Sequence, residues 1–325
     1  MSDLPFARFP RVDLGASHTP LHRAAALSDA LGLEVLLKRD DLTGIGLGGN
    51  KVRGLEFLLG SALEDDCDVL VTGSGPQSNW SFLAALAARR CGMDARLVFY
   101  GTAPGRREGN YLLQHATEAE ITFTGDSRRQ SVDAEIDRIG RQLVADGRRP
   151  LVLPRGGATA LGCLGYVLAA AEIEEQSRGM GVSRPTVWLA TGSCGTQAGL
   201  VVGVSEGLIG GAVGVTVSRP TSECRARVTT LARHTAELLD LPAPNPALVD
   251  VRDGFIGPGY GIASTDGQAA ADLMARTEGV LLDAPFGAKA AAALFAAGCA
   301  KAVVGPVVFL VSGGQPTLFL QEASL

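Results

Sequence analysis

Short hydrophobic runs alternate with longer amphipathic segments along most of the chain. Residues 68–72 and 95–100 have the length and the aliphatic composition of buried strands. Between them, residues 78–90 place apolar side chains at helical spacing on one face. Strands that alternate with helices in this way predict an α/β protein whose parallel-rich sheets are flanked by helices.

The alternation falls into two runs. The first contains predicted strands at 33–38, 68–72, 95–100, 121–124 and 151–154, with helices at 55–63, 78–90, 110–117 and 130–146. The second contains predicted strands at 186–190, 212–217 and 307–311, with helices at 160–176, from 196, 223–239, 267–278 and 287–297. We predict a boundary near 156–162. The pattern leaves open whether the segment up to Gly46 packs on the second unit.

Composition and charge exclude several classes of protein. The chain has 325 residues and a net charge of −5, and its arginine pairs (Arg106-Arg107, Arg128-Arg129 and Arg148-Arg149) are typical of solvated surface. No nucleic-acid partner is therefore expected. Since no segment approaches eighteen consecutive apolar residues, we expect no membrane span. The N-terminus lacks the layout of a signal peptide, so we predict a cytoplasmic protein. Six scattered cysteines without a CxxC and four widely spaced histidines argue against a metal site or a disulfide scaffold.

Lys51 is the first candidate for chemistry. It follows Gly48-Gly49-Asn50, and such glycines let the backbone approach a ligand closely. A lysine that is desolvated at such a turn has a lowered pKa and becomes a nucleophile that forms Schiff bases. An ordinary solvated lysine remains the alternative at this point.

Two loops that join a predicted strand to a predicted helix could bind anions. Gln77, Ser78 and Asn79 lie at the start of a predicted helix, where free N–H groups and polar side chains suit a carboxylate. A plain helix cap would give the same sequence pattern. The second loop is a predicted phosphate cradle: Thr191, Gly192, Ser193, Cys194, Gly195 and Thr196. It lacks the Walker lysine and the GxGxxG spacing, which makes ATP, GTP and NAD poor candidates. A tight turn with glycines for close packing is the alternative.

Two further residues stand beside glycines in predicted loops. Tyr260 lies between Gly259 and Gly261 and could act as an acid/base or as a packing aromatic. Ser312 follows the last predicted strand. Because ligands of parallel sheets bind outside the carboxyl ends of the strands, Ser312 could face the same crevice as the loops above.

Together these sites resemble the D-cysteine desulfhydrase / 1-aminocyclopropane-1-carboxylate (ACC) deaminase family, whose members use pyridoxal 5'-phosphate and have the two-domain, tryptophan-synthase-β-like fold type II. The matching segments, in family order, are LLKRDDLTGIGLGGNKVRGLEFLL, GSGPQSNW, TGSCGTQAG, GYGI, ARTEGVLLDAPFGAKA and FLVSGGQPTLF. They extend from about Thr19 to Phe319.

The resemblance implies a role for each position. Lys51 would hold the cofactor as a Schiff base and move the Cα proton, with Ser78 and Tyr260 as further catalytic groups. Asn79 would bind the 3'-oxygen of the cofactor, and Ser312 would face its pyridine nitrogen. The cradle residues 191–196 would bind the phosphate. The substrate would be bound by Gln77, Ser78, Trp80, Gly157, Tyr260 and Phe286.

The resemblance also implies an assembly. A large cofactor-binding domain would comprise residues 1–46 and 160–325, a small domain would comprise residues 47–159, and the active site would lie in the cleft between them. The family is commonly homodimeric.

Three residues differ from the family pattern on the substrate side. Trp80 stands where a histidine is usual, Phe286 where a tyrosine is usual, and Val311 where a histidine is usual. Phe286 cannot donate a hydrogen bond or a proton. The differences favour a substrate other than ACC or D-cysteine, and they indicate a bulkier or more apolar amino acid.

The sequence therefore predicts a pyridoxal-phosphate dependent lyase that eliminates a β-substituent from a small amino acid. A β-replacement enzyme, a racemase or a specialised biosynthetic enzyme with the same cofactor is the first alternative. A catalytically silent protein that binds the cofactor is an alternative of another class.

Overall fold

The computed structural model describes residues 6–320, and its helices and strands follow the predicted alternation. The strands are β1 (Leu21–Arg23), β2 (Val35–Arg39), β3 (Val69–Ser74), β4 (Asp94–Phe99), β5 (Glu120–Phe123), β6 (Pro150–Val152), β7 (Thr186–Thr191), β8 (Gly211–Thr216), β9 (Asp250–Arg252) and β10 (Val307–Val311). The helices are α1 (Ala25–Leu31), α2 (Lys51–Glu64), α3 (Asn79–Arg90), α4 (Gly109–Ala116), α5 (Ser131–Ala145), α6 (Ala160–Gly179), α7 (Gly195–Ser205), α8 (Thr221–Leu238), α9 (Thr265–Glu278) and α10 (Gly287–Cys299).

The strands form two sheets. The larger sheet has the order β1-β2-β10-β7-β8-β9, and the smaller sheet has the order β5-β4-β3-β6. All neighbouring strands run parallel except β1, which is antiparallel to β2. The predicted α/β class with parallel-rich sheets is confirmed. The strand β2 pairs with β10 along its whole length, so the N-terminal segment joins the sheet of the second run.

Helices cover both faces of the larger sheet because successive residues of its strands point to opposite sides. In β7, Val187 and Leu189 pack with α6, α7 and α8, whereas Trp188 packs with α1, α9 and α10. All three side chains are almost fully buried. The carboxyl ends of these strands therefore emerge from a packed core, which gives their loops a rigid base.

The helix α2 differs from its prediction in a way that matters for the site. It begins at Lys51 and not at residue 55, because Gly54 in its first turn masks the helical pattern. A Cβ on Gly54 would lie 2.8 Å from the carbonyl oxygen of Gly162, and one on Gly165 would lie 2.4 Å from that of Arg53. The two glycines let α2 and α6 pack in close contact.

A buried ionic cluster fastens α2 to the larger sheet and to α6. Arg53 donates to Asp40 at 2.8 Å and to Glu172 at 2.9 Å, while Lys38 forms a salt bridge with Glu172. Tyr166 donates its hydroxyl to Asp40 at 2.5 Å. Burial alone would raise the pKa of Asp40, but the adjacent Arg53 holds it below its ordinary value. Because Arg53 lies two residues after Lys51, this cluster fixes the start of α2.

Between residues 6 and 320, no helix is both long enough and apolar enough to cross a bilayer.

Candidate active site

A cavity of about 100 Å³ lies where loops of the two sheets meet. Most of the predicted site residues line it: Lys51, Ser78, Asn79, Trp80, Gly192, Ser193, Tyr260, Phe286 and Ser312. Residues that the sequence did not single out complete the wall: Asn50, Ser74, Arg129, Arg155, Gly156, Ala190, Val217, Ser218, Arg219 and Gly313. Candidate groups from distant parts of the chain are thus brought into one cavity.

Lys51 enters this cavity from the first residue of α2. The turn before it is tied to the end of β10, since Asn50 N donates to the carbonyl oxygen of Ser312 at 3.0 Å. Gly49 has a φ of +135°, a conformation that suits glycine. Burial lowers the pKa of Lys51 to about 8. About a tenth of its amine is therefore neutral and nucleophilic at pH 7, against roughly one part in 3,000 for an ordinary lysine.

The predicted phosphate cradle lies at the N-terminus of α7. Cys194 precedes the helix with a φ of +76°, and its side chain makes no capping hydrogen bond to the first turn. The first-turn N–H groups and the hydroxyls of Ser193 and Thr196 are donors that suit an anion. Lys51 Nζ lies 3.4 Å from Ser193 Oγ, at the edge of the cradle.

Two arginines brace the cradle from outside. Arg219 Nε donates to the carbonyl oxygen of Gly192, and Arg227 Nε donates to that of Ser193, each at 3.1 Å. Their positive charges lie beside the loop that would bind the phosphate. The residues present therefore fit pyridoxal 5'-phosphate: an anion cradle, and a lysine of lowered pKa within reach of it.

Asn79 and Ser312 lie on the walls where the resemblance would place the cofactor ring. The Oδ1 atom of Asn79 accepts a hydrogen bond from Asn110 Nδ2 at 2.7 Å. This contact orients the amide, so its Nδ2 group remains a donor for a ligand oxygen. Ser312 follows β10 and presents a hydroxyl, which can donate to or accept from a ring nitrogen.

Thr191 and Cys194 do not line the cavity, although both belong to the predicted cradle. Both are buried, and the Cys194 thiol lies 3.8 Å from the carbonyl oxygen of Gly192. Gly195 and Thr196 line a smaller adjoining cavity of about 30 Å³ together with Lys51, Trp80 and Gly157.

Of the two predicted carboxylate binders, Ser78 lines the cavity of about 100 Å³ and Gln77 does not. Ser78 Oγ accepts from Ser81 N at 3.2 Å as the N-cap of α3, and it keeps a free proton for the cavity that it lines. Gln77 opens instead onto a neighbouring cavity of about 770 Å³. Its amide binds the start of α4, with Nε2 donating to Glu108 O at 3.1 Å and Oε1 accepting from Asn110 N at 2.9 Å.

Tyr260 and Phe286 face each other, with ring centroids 5.7 Å apart. Two buried charged residues hold them. Asp283 accepts from Phe286 N at 3.0 Å, and Lys289 Nζ donates to the carbonyl oxygens of Ile256 and Gly259 at 2.7 and 2.9 Å. Burial raises the pKa of Asp283 to about 7 and also raises the pKa of the Tyr260 phenol.

The expectation that Arg128-Arg129 is solvated surface is wrong for one member of the pair. Arg128 is 82% exposed and pairs with Asp126. Arg129 instead lies over the Tyr260 ring, with its Cζ 4.1 Å from the ring centroid, and lines the cavity. The difference is tertiary, because Tyr260 reaches Arg129 from the other sheet, and the local sequence carries no signal of it.

Comparison with known proteins agrees with this geometry. The model of the family described as "Pyridoxal-phosphate dependent enzyme" matches residues 12–313. The chain is similar to a D-cysteine desulfhydrase of Klebsiella pneumoniae subsp. pneumoniae, with 38% identity over 100% of both chains. It is 39% identical to one of Serratia proteamaculans over 96% of both chains. Among solved structures, an ACC deaminase homologue superimposes with a TM-score of 0.90 and 34% identity, covering 97% of this chain and 94% of the other.

Proposed function

Because this chain belongs to the pyridoxal-phosphate dependent enzyme family, we propose that it is a lyase that eliminates a β-substituent from a small amino acid, like the D-cysteine desulfhydrases that it resembles. The similarity to them extends over the full length of the chain. When bound, pyridoxal 5'-phosphate supplies an electron sink that acidifies the Cα–H bond of the amino acid. The residues of the chain then have to bind, orient and move protons.

One observation carries this proposal: Lys51 Nζ lies 3.4 Å from Ser193 Oγ at the edge of an uncapped helix N-terminus. Burial lowers the pKa of the amine to about 8, so Lys51 can attack a carbonyl and later accept a proton at Nζ. Burial also lowers the pKa of the structural Lys38, so the anion cradle beside Lys51 is what distinguishes it from a structural lysine.

The cofactor roles follow the walls of the cavity. We assign the phosphate to the loop at the start of α7, formed by Thr191, Gly192, Ser193, Cys194, Gly195 and Thr196. Asn79 Nδ2 would donate to the 3'-oxygen, since Asn110 already occupies its Oδ1. Ser312 would face the pyridine nitrogen, and a neutral hydroxyl there leaves the nitrogen largely unprotonated.

The substrate roles are proposed on the opposite side of the cavity. Ser78 would bind the substrate carboxylate and assist Lys51 in proton transfer, and Tyr260 would act beside it. Gln77 would contribute its position at the start of α3, because its amide is bound to Glu108 and Asn110. The remaining predicted substrate contacts are Trp80, Gly157 and Phe286.

The spectrum of the purified protein tests the proposal. Wild type and Lys301→Gln, an exposed lysine outside the cavity lining, should both carry cofactor with visible absorbance. Lys51→Ala should lose that absorbance and all lyase activity, measured as keto-acid release from a panel of D- and L-amino acids. An unchanged absorbance band in Lys51→Ala would contradict the assignment of Lys51. A wild type whose spectrum no amino acid alters would contradict the lyase.

We extend the proposal to the organisation of the protein. Residues 1–46 with 160–325 would form the large domain and residues 47–159 the small one, in agreement with the two sheets. The protein would act as a homodimer, as implied by the family resemblance, and we propose that it acts in the cytoplasm. Light scattering after size-exclusion chromatography tests the dimer, since a monomer at working concentration would contradict it.

A further inference from the structure

The cavity carries an excess of positive charge. Four basic side chains line it, namely Lys51, Arg129, Arg155 and Arg219. Within the described part of the chain, no aspartate or glutamate lines it. Such a wall favours ligands that bring more than one negative charge.

Two of the three arginines already have carboxylate partners. Arg155 Nε donates to Asp133 Oδ1 at 3.0 Å, and Arg219 Nη1 donates to Glu223 Oε1 at 2.7 Å. Arg219 also braces the cradle through its contact with Gly192. For residues 6–320, no salt bridge is found for Arg129. The guanidinium of Arg129 instead makes a cation–π contact with the face of the Tyr260 ring.

Arg129 is placed on the substrate side of the cavity. It lies between β5 and α5 of the smaller sheet, whereas Tyr260 lies between β9 and α9 of the larger sheet. The 4.1 Å contact therefore bridges the two sheets across the cavity. The phosphate of the cofactor would be neutralised by the α7 N-terminus together with Arg219 and Arg227, which hold the carbonyl groups of the cradle. The charge of Arg129 is left for a group of the substrate.

We propose that Arg129 binds an anionic group on the substrate side chain, so that the enzyme acts on amino acids with an acidic β-substituent. This inference rests on the proposed lyase function and names its substrate class. A guanidinium donates two parallel hydrogen bonds to a carboxylate, sulfate or phosphate group, with greater strength than between neutral partners. Phe286 offers no hydroxyl to such a group, and Arg129 is the charged donor beside it, next to the Tyr260 ring. The arginine wall thus favours an acidic side chain over the apolar one expected from Trp80 and Phe286 alone.

The reaction balances with water as the only co-reactant. The Cα–H bond breaks and its electron pair forms the Cα–Cβ double bond, while the acidic substituent leaves with the pair of its bond to Cβ. The proton passes to Lys51. Water then hydrolyses the released enamine to a keto acid and ammonium.

Binding of amino acids that differ only in side-chain charge tests the inference without turnover. Aspartate and asparagine are nearly isosteric, so both enantiomers of each are titrated into the holoenzyme and followed by the cofactor spectrum and by calorimetry. One enantiomer of aspartate should bind about tenfold more tightly than the matching asparagine, as a charged hydrogen-bonded pair allows. Arg129→Gln should abolish that preference, and Arg128→Gln, its exposed neighbour, should keep it. Equal binding of aspartate and asparagine by the wild type would overturn the inference.

Turnover separates this inference from the proposed function. Serine O-sulfate and β-chloroalanine both carry good leaving groups, and only the first has a charged side chain. We expect Arg129→Gln to lower kcat/KM for serine O-sulfate by about tenfold and to leave β-chloroalanine nearly unchanged, with Arg129→Lys in between. Equal losses on both substrates would mean that Arg129 only supports Tyr260, and would overturn the inference. If the wild type turns over β-chloroalanine without any preference for serine O-sulfate, the inference about Arg129 is contradicted and the proposed lyase function stands. If the wild type turns over neither substrate, the proposed lyase function itself is contradicted.

Discussion

Trp80 occupies the space that a side chain on Gly157 would need. A Cβ built on Gly157 would lie 2.2 Å from Trp80 Cζ2, and Gly157 has a φ of +68°. The indole is fixed in this position, because its Nε1 donates to Thr72 Oγ1 at 2.9 Å and the residue is only 4% exposed. The tryptophan that replaces the family histidine is therefore part of the packed wall between α3 and the loop before α6.

Gly157→Ala is expected to destabilise the protein. Overpacking against the indole costs about 1–3 kcal/mol, and a left-handed backbone adds about 1–2 kcal/mol for a residue with a Cβ. The free energy of unfolding, measured by urea denaturation of the cofactor-free protein, should fall by the sum of the two. A loss below about 1 kcal/mol would contradict the close contact.

The double variant Trp80→Phe with Gly157→Ala is the matched control. Removing part of the indole should relieve the steric cost and leave the backbone cost, so the two substitutions should not be additive. Additive losses would mean that Trp80 moves away from Gly157 in solution.

Lys289→Met is expected to impair catalysis through the loop that carries Tyr260. The substitution removes both donations from Nζ to Ile256 and Gly259, so the loop loses its buried anchor. The Km should rise and kcat/KM should fall by about tenfold, since two hydrogen bonds from a charged group are lost. Steady-state kinetics with β-chloroalanine measures both parameters, and Lys301→Met, an exposed lysine, is the control. A change confined to thermal stability, with both kinetic parameters intact, would rule out the positioning role.

Arg53→Met is expected to cost more than any surface ion pair. It leaves the buried carboxylates of Asp40 and Glu172 without their main partner, a loss of about 3–5 kcal/mol. Arg178→Met removes an exposed pair with Glu174 and should cost about 0–1 kcal/mol. Urea denaturation of both variants compares the two values. Similar values would contradict the importance of the cluster beneath Lys51.

The parts of the fold that the sequence predicted are those with a strong local signal. Long helices such as α5 and α6 have capped or patterned sequences, and β10 was predicted with its observed bounds. The strands β1 and β9 were missed because their three-residue sequences, Leu-His-Arg and Asp-Val-Arg, contain no hydrophobic run, unlike the equally short β6. The predicted helix begins four residues after the first residue of α2, because the first turn of α2 contains Gly54 and has no side-chain cap.

In the candidate site too, the residues with a local sequence signal were predicted and those defined by tertiary contacts were not. The cofactor side has local patterns, a lysine after glycines and a small hydroxyl-rich loop before α7. Each pattern alone is ambiguous, and their order along the chain is what indicates the cofactor. The substrate side is assembled from loops of both sheets, and Arg129, Arg155 and Lys289 acquire their roles only through tertiary contacts. A single sequence carries no pattern for such contacts, which is why these residues were not predicted.

Attachment of the cofactor to the cofactor-free enzyme should depend on pH through Lys51. Burial lowers the pKa of its amine from 10.5 to about 8, and only the neutral amine attacks the aldehyde. The attachment rate should therefore rise about tenfold per pH unit below pH 8 and level off above it, as the neutral fraction approaches one. Stopped-flow absorbance between pH 6 and pH 10 measures this rate, and division by the rate for N-acetyl-lysine removes the ionisations of the cofactor itself. Because N-acetyl-lysine titrates near 10.5, the ratio should be constant below pH 8 and fall above it. A ratio that stays constant up to pH 10 would contradict the lowered pKa.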